Sequence, residues 1–206
     1  MKTINTSRGF TLIELLVAIG ILAMVAVLGW RGLDGIVRTR AALTAQMETT
    51  RGMQLAFAQM QSDCEHLVAA EDLRGRPYLV ADATRMVLVR RVLNEFEPSR
   101  LQVVTYRVVN GVLTRSESQS TRDLVQLDVF WKAAVAEGQG DPGIPLQAGV
   151  NGMMVQVFES GAWHPATAPT AGAAQMLQNA PDGLQVALQV QGLENPMSKV
   201  FLLRAV

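Results

Sequence analysis

One carboxylate, Glu14, lies inside a run from Phe10 to Trp30 that carries no other charge. At the centre of a membrane helix such a group costs roughly 2.5–3.5 kcal/mol, and less near an end. It must therefore sit among hydrated headgroups or find a cationic partner. The remaining residues that could do chemistry are sparse. Asp63, Glu65 and His66 are neighbours, but Glu65 and His66 diverge as adjacent residues, and Asp63 with His66 makes an incomplete metal set. They read as a solvated helix face. His164 follows Trp163 in a loop with no nucleophile motif beside it, and Ser160-Gly161 reads as a turn. Asp141-Pro142-Gly143 is also a turn, lacking the spaced carboxylates of a calcium loop. There is no P-loop, GxGxxG or HExxH. Cys64, the single cysteine, has no partner for a disulfide or a CxxC site and reads as a small buried core residue. No catalytic, metal or cofactor-binding residue is expected, and the chain reads as a non-enzyme.

The bulk composition agrees. The 206 residues carry 18 Lys+Arg against 18 Asp+Glu. A chain of zero formal charge offers no broad basic field for phosphate backbones, so nucleic acid is not an expected partner. The length allows one domain with an appendage.

The elements that must position Glu14 are legible. The apolar run has no proline, and at ~1.5 Å rise per residue it is about 30 Å long as a helix, enough to cross a bilayer core. Helical signals continue to Pro77, and an apolar stripe of Leu43, Met47, Met53, Phe57, Met60, Cys64 and Leu67 predicts an amphipathic continuation. One helix is expected from Phe10 to about Val68, with a bend or loosened turn allowed at Gly29, Gly32 and Gly35. Beyond Tyr78 the runs turn β-like: Thr84–Val92, a hairpin about Asn110-Gly111, a partly alternating Val125–Trp131, a pair about Ser160-Gly161, Leu184–Gly192 and a last strand from Val200. Gly/Ala/Pro-rich loops are expected after Trp131 and after Trp163. The fold class is α+β, a long amino-terminal helix packed on one face of an antiparallel sheet.

The string Arg8-Gly9-Phe10-Thr11-Leu12-Ile13-Glu14 resembles the type IV prepilin signal. The resemblance implies that a prepilin peptidase/N-methyltransferase cuts between Gly9 and Phe10 and methylates Phe10, and that Glu14 serves in assembly. Residues 1–9 would be a removed leader. Residues 10–30 would be the inner-membrane and filament-core helix, anchored by Phe10, Leu12, Ile13, Leu15, Leu16, Val17, Ile19, Ile21, Leu22, Val25, Val27 and Leu28. Residues 31–70 would continue the helix, and residues 71–206 would form a periplasmic head. Cleavage leaves an α-amino group at a helix end already positive by its dipole. Glu14, one turn on, could then neutralise its own terminus or a neighbour's.

Further along, WRGLDGIVRTRAAL after the anchor, Arg76-Pro77-Tyr78, the strand ending in Arg90-Arg91, the Asn110-Gly111 hairpin and VNGMMVQVFESGAWHP resemble the protein J family of type II secretion minor pseudopilins. The Gly/Ala-rich stretch at residues 132–149 departs from that pattern. The resemblance implies a structural part in a pseudopilus tip that starts assembly and helps export folded proteins across the outer membrane. Its implied partners are proteins I and K, with H as a further candidate, the major pseudopilin G, and the lipid of the inner membrane. A minor pilin of a type IV pilus, and a membrane-anchored enzyme with a pilin-like anchor, are the alternatives.

Overall fold

The computed structural model describes residues 10–93, 95–136, 143–166 and 181–203. The chain divides into two units, one ending at Glu48 and one beginning at Thr49. Helix α1, Leu12–Glu65, contributes to both, and its backbone is helical through Gly29, Gly32 and Gly35. In the first unit every described side chain is exposed. An 18-residue stretch there reaches mean hydropathy 2.7, so the helix is long and apolar enough to cross a membrane.

The second unit contains the remaining elements. A 3-10 turn, Ala70–Leu73, leads to β1 (Leu79–Ala81), β2 (Arg85–Val92), β3 (Arg100–Val109) and β4 (Val112–Glu117). Then come α2 (Leu124–Val135), β5 (Ile144–Ala148), β6 (Val150–Glu159), β7 (Ala162–Pro165), β8 (Gly183–Val190) and β9 (Met197–Leu202). The strands form two sheets, in the orders β1-β2-β3-β4-β5 and β7-β6-β8-β9, with antiparallel pairing throughout. The single sheet expected from sequence is thus two. The chain leaves the first sheet and enters the second across Gly149, whose φ of +75° lies in the left-handed region that glycine adopts cheaply.

Both hairpin turns read from sequence are present. Asn110 and Gly111 have φ of +50° and +75°, and Ser160 and Gly161 +52° and +84°, the left-handed pair a two-residue hairpin loop needs. Val125–Trp131, expected as a strand, is helix α2. Val125, Leu127 and Val129 do alternate, but Leu124, Leu127, Trp131 and Ala134 also recur three or four apart. Asp123 decides between the patterns, because its carboxylate accepts the Val125 backbone N–H at 2.9 Å and caps the helix. The stretch expected as a loop after Trp131 is helical to Val135 and forms β5 from Ile144; its middle lies outside the described residues, as does most of the loop after Trp163.

Two apolar clusters bury the five-stranded sheet on both faces. Met53, Ala56, Phe57, Met60 and Cys64 of α1 pack with Met86, Leu88, Val104, Leu113 and the inner side chains of the second sheet. Val87, Val89 and Val103, which point the other way, pack with Leu127 and other apolar side chains of α2. That is why β2 reads as a continuous apolar run rather than an alternating one. Leu43 and Met47, expected on the buried stripe, are exposed; burial begins only at Met53.

Candidate functional site

Thr11 immediately precedes α1, and Glu14 stands three residues later. This is the spacing of a capping box, in which each residue satisfies a helix-end group of the other. The Thr11 backbone N–H donates to Glu14 Oε2 at 3.0 Å, and the Thr11 hydroxyl donates to the same oxygen at 2.8 Å. In return, the Glu14 backbone N–H points at Thr11 Oγ1 at 3.4 Å. The signal of this cap, T-x-x-E, stands in the sequence itself. Glu14 is therefore exposed yet held. Among the described residues its Oε1 has no partner, which leaves that oxygen for a further donor. Phe10, Ile13, Glu14, Val17, Ala18 and Ile21 lie together on this shallow face of the helix.

The twelve anchor residues named from sequence, Phe10 to Leu28, are 55–86% exposed. At roughly 25 cal/mol per Å² of apolar surface, such a helix calls for lipid or other apolar helices around it. Gly9 lies outside the described residues.

The second constellation was missed by sequence reasoning. Asp63, assigned to a solvated helix face, is 0% exposed. Its Oδ1 accepts from Arg90 Nη1 at 2.8 Å and Arg115 Nη2 at 3.1 Å. Its Oδ2 accepts from Arg115 Nε at 2.9 Å and from the Tyr106 hydroxyl at 2.5 Å. Glu117 balances the charge, accepting from Arg115 Nη1 at 2.9 Å and Arg90 Nη2 at 3.3 Å. Arg90 also donates to Gln102 Oε1, whose amide in turn donates to the Ser118 carbonyl. Burial, and then the adjacent Asp63 carboxylate, push the Tyr106 phenol up, so it remains a donor.

Strand phase explains the gathering. Arg90 continues the Met86, Leu88 face of β2, Gln102 precedes Val104 and Tyr106 on β3, and Arg115 and Glu117 follow Leu113 on β4. All of them therefore face α1. One available cue was the arginine in phase with buried positions. Both Asp63 oxygens are already filled by protein donors. The cluster clamps α1 to the sheet.

Glu65 and His66 are exposed: Glu65 Oε1 accepts from Gln61, and His66 Nδ1 lies 2.8 Å from the Ser62 carbonyl. Among the described residues no three His, Cys, Asp or Glu side chains could hold a metal ion. Cys64 is buried, as expected, and burial followed by Asp63 and Glu65 pushes its thiol up to about 12. His164, expected in a loop, lies in β7 opposite Val157.

Residues 31–203 match the family model described as type II secretion system (T2SS), protein J. The chain belongs to the type II secretion protein J family. Residues 4–30 match a prokaryotic N-terminal methylation motif, which spans the Gly9–Phe10 junction and Glu14. No curated protein matches the chain. As a protein J family member it is a minor pseudopilin of the type II secretion system, in a family that is structural rather than enzymatic. The apolar start of α1 is its inner-membrane anchor. Membership also implies association with other pseudopilins and with the peptidase that processes the methylation motif.

Proposed function

We propose that this pseudopilin is cut between Gly9 and Phe10, methylated on Phe10, and held in the inner membrane with residues 71–206 in the periplasm. There it joins proteins I and K, with H as a further neighbour and G beneath, in a pseudopilus tip that starts assembly for export of folded proteins. The observation carrying this reading is that the methylation motif and the protein J match follow one another along a single chain. Glu14 supplies the physical reason for assembly: a carboxylate with a free oxygen at an apolar helix end gains most from a neighbour's cationic amino terminus, where low dielectric strengthens the pair.

Mass spectrometry of membrane-extracted protein tests the processing, with Phe10 expected as an N-methylated first residue. Retention of residues 1–9 in the extracted protein would overturn that part. Co-purification of the full chain with I and K tests the tip assignment; recovery with neither would remove it. Glu14→Ala is expected to be processed normally and to be lost from assembled pseudopili, and its normal recovery there would remove the assembly role.

A further inference from the structure

Among the described residues each sheet has two edge strands, and three of the four are blunted. β1 is three residues long, β5 carries Pro145 and β7 ends on Pro165. Natural sheets protect edges by these devices, because unpaired backbone groups recruit other chains. β9 is neither shortened nor interrupted by proline, and its single charge is Lys199. It is six residues long, MSKVFL, without proline or carboxylate.

The hydrogen-bond phase says which groups are free. Leu203 N–H donates to the Asp182 carbonyl at 3.1 Å, and the register pairs Phe201 with Leu184, Lys199 with Val186 and Met197 with Leu188. Residues 197, 199, 201 and 203 therefore bond to β8, and the alternating pattern turns the backbone N–H and C=O of Ser198, Val200 and Leu202 outward. None of these three bonds to another described residue beyond its own sheet.

The side chains beside this edge define its complement. On one face Val200 is 52% and Leu202 73% exposed. Leu202 pairs with Gly183, where a Cβ would meet the Trp163 ring at 3.5 Å, so the apolar surface continues inward from the edge. On the other face Lys199 Nζ donates to Gln61 Oε1 at 2.7 Å and forms no ion pair among the described residues.

We propose that β9 is a strand-addition site for a different polypeptide of the assembly, whose extended segment is apolar on one face and carries a carboxylate opposite Lys199. A second copy does not fit, since its β9 brings another lysine and no carboxylate. This deepens the assignment under Proposed function and rests on it.

The test uses full-length chain co-expressed with G, H, I and K, extracted from membranes, and compared with the same chain alone by residue-resolved amide exchange. Assembly should slow Ser198, Val200 and Leu202 by about tenfold or more, while Lys199 and Phe201 are slow in both states. Val200→Pro removes an outward N–H without breaking a hydrogen bond to β8, and replaces an exposed side chain. It should cut recovery of the chain with its partners several-fold while its thermal unfolding midpoint stays near that of the wild type. Lys199→Glu, which keeps the backbone intact, should reduce recovery in the same direction by charge reversal alone. Equal exchange of the three amides in free and assembled chain would overturn the site. So would a photocross-link from position 200 landing on a second copy's β9. If the wild type co-purifies with none of the four proteins, the tip assignment itself falls and this inference falls with it.

Discussion

Glu14 and Asp63 are both carboxylates on α1, and they are satisfied in opposite ways. Glu14, in the first unit, takes both of its donors from Thr11, three residues away. Asp63, in the second, takes four donors from residues 27 to 52 positions distant. A locally capped carboxylate can stay exposed and keep an oxygen spare for a partner. A carboxylate removed from water has to fill every acceptor within the fold, because an unpaired buried charge costs several kcal/mol. One helix thus carries a locally capped carboxylate and a folding clamp, and the difference between them is made by what surrounds each.

That contrast can be broken most directly at the clamp. Asp63→Ala leaves the buried Arg115 and the partly buried Arg90 with only Glu117 as a shared carboxylate and should destabilise the second unit by roughly 3–5 kcal/mol, read as a fall in urea or thermal midpoint. A loss below about 1 kcal/mol, the range of exposed pairs, would mean the cluster behaves as a surface ion pair. Tyr106→Phe removes one of four donors and should cost about 1–2 kcal/mol by the same measurement. At the amino terminus, Thr11→Ala should fray the first turn by about 1 kcal/mol, visible as faster amide exchange there, without moving the unfolding midpoint of the second unit. Glu14→Gln separates the two roles of that residue. Its amide oxygen can still accept from Thr11, so the first turn should stay protected while pseudopilus recovery falls. If recovery is unchanged, Glu14 serves only as a cap.

Asp82 supplies the smallest effect and an intermediate case. Burial would raise its carboxyl, but the Thr84 N–H and hydroxyl, then Arg85, outweigh that and hold it below the usual carboxylate range. Because the folded value is the lower one, its contribution is present above the unfolded value of ~3.9 and disappears as pH falls through the folded value. The stability gap between wild type and Asp82→Asn should therefore be largest near neutral pH and close as pH drops below about 4. A gap that is constant with pH would show that the charge contributes nothing.

Legibility followed the range of the interactions. The helix from Leu12, the two hairpins and the strands at Thr84–Val92 and Leu184–Gly192 were readable because periodicity and turn chemistry are local. The α2 segment differs from its expected strand because a short apolar run satisfies both periods, and the Asp123 cap selects the helix. Asp63 was misread for a different reason. On the helix it falls one position before buried Cys64 and three after buried Met60, yet a charge there reads as solvated until the arginines of β2 and β4 are known to arrive. Leu43 and Met47 erred the other way: their spacing continues the stripe, but spacing alone does not say where a packing partner ends.

By itself, then, the sequence determined the anchor, its methylation motif and the charge within it, since length, hydropathy and a short motif suffice for these. The tertiary structure alone decided that the strands divide into two sheets at Gly149, that Asp63 is a clamp and that β9 pairs on one side only among the described residues. Each of those depends on which distant backbone and side-chain groups meet, and no local pattern encodes that meeting.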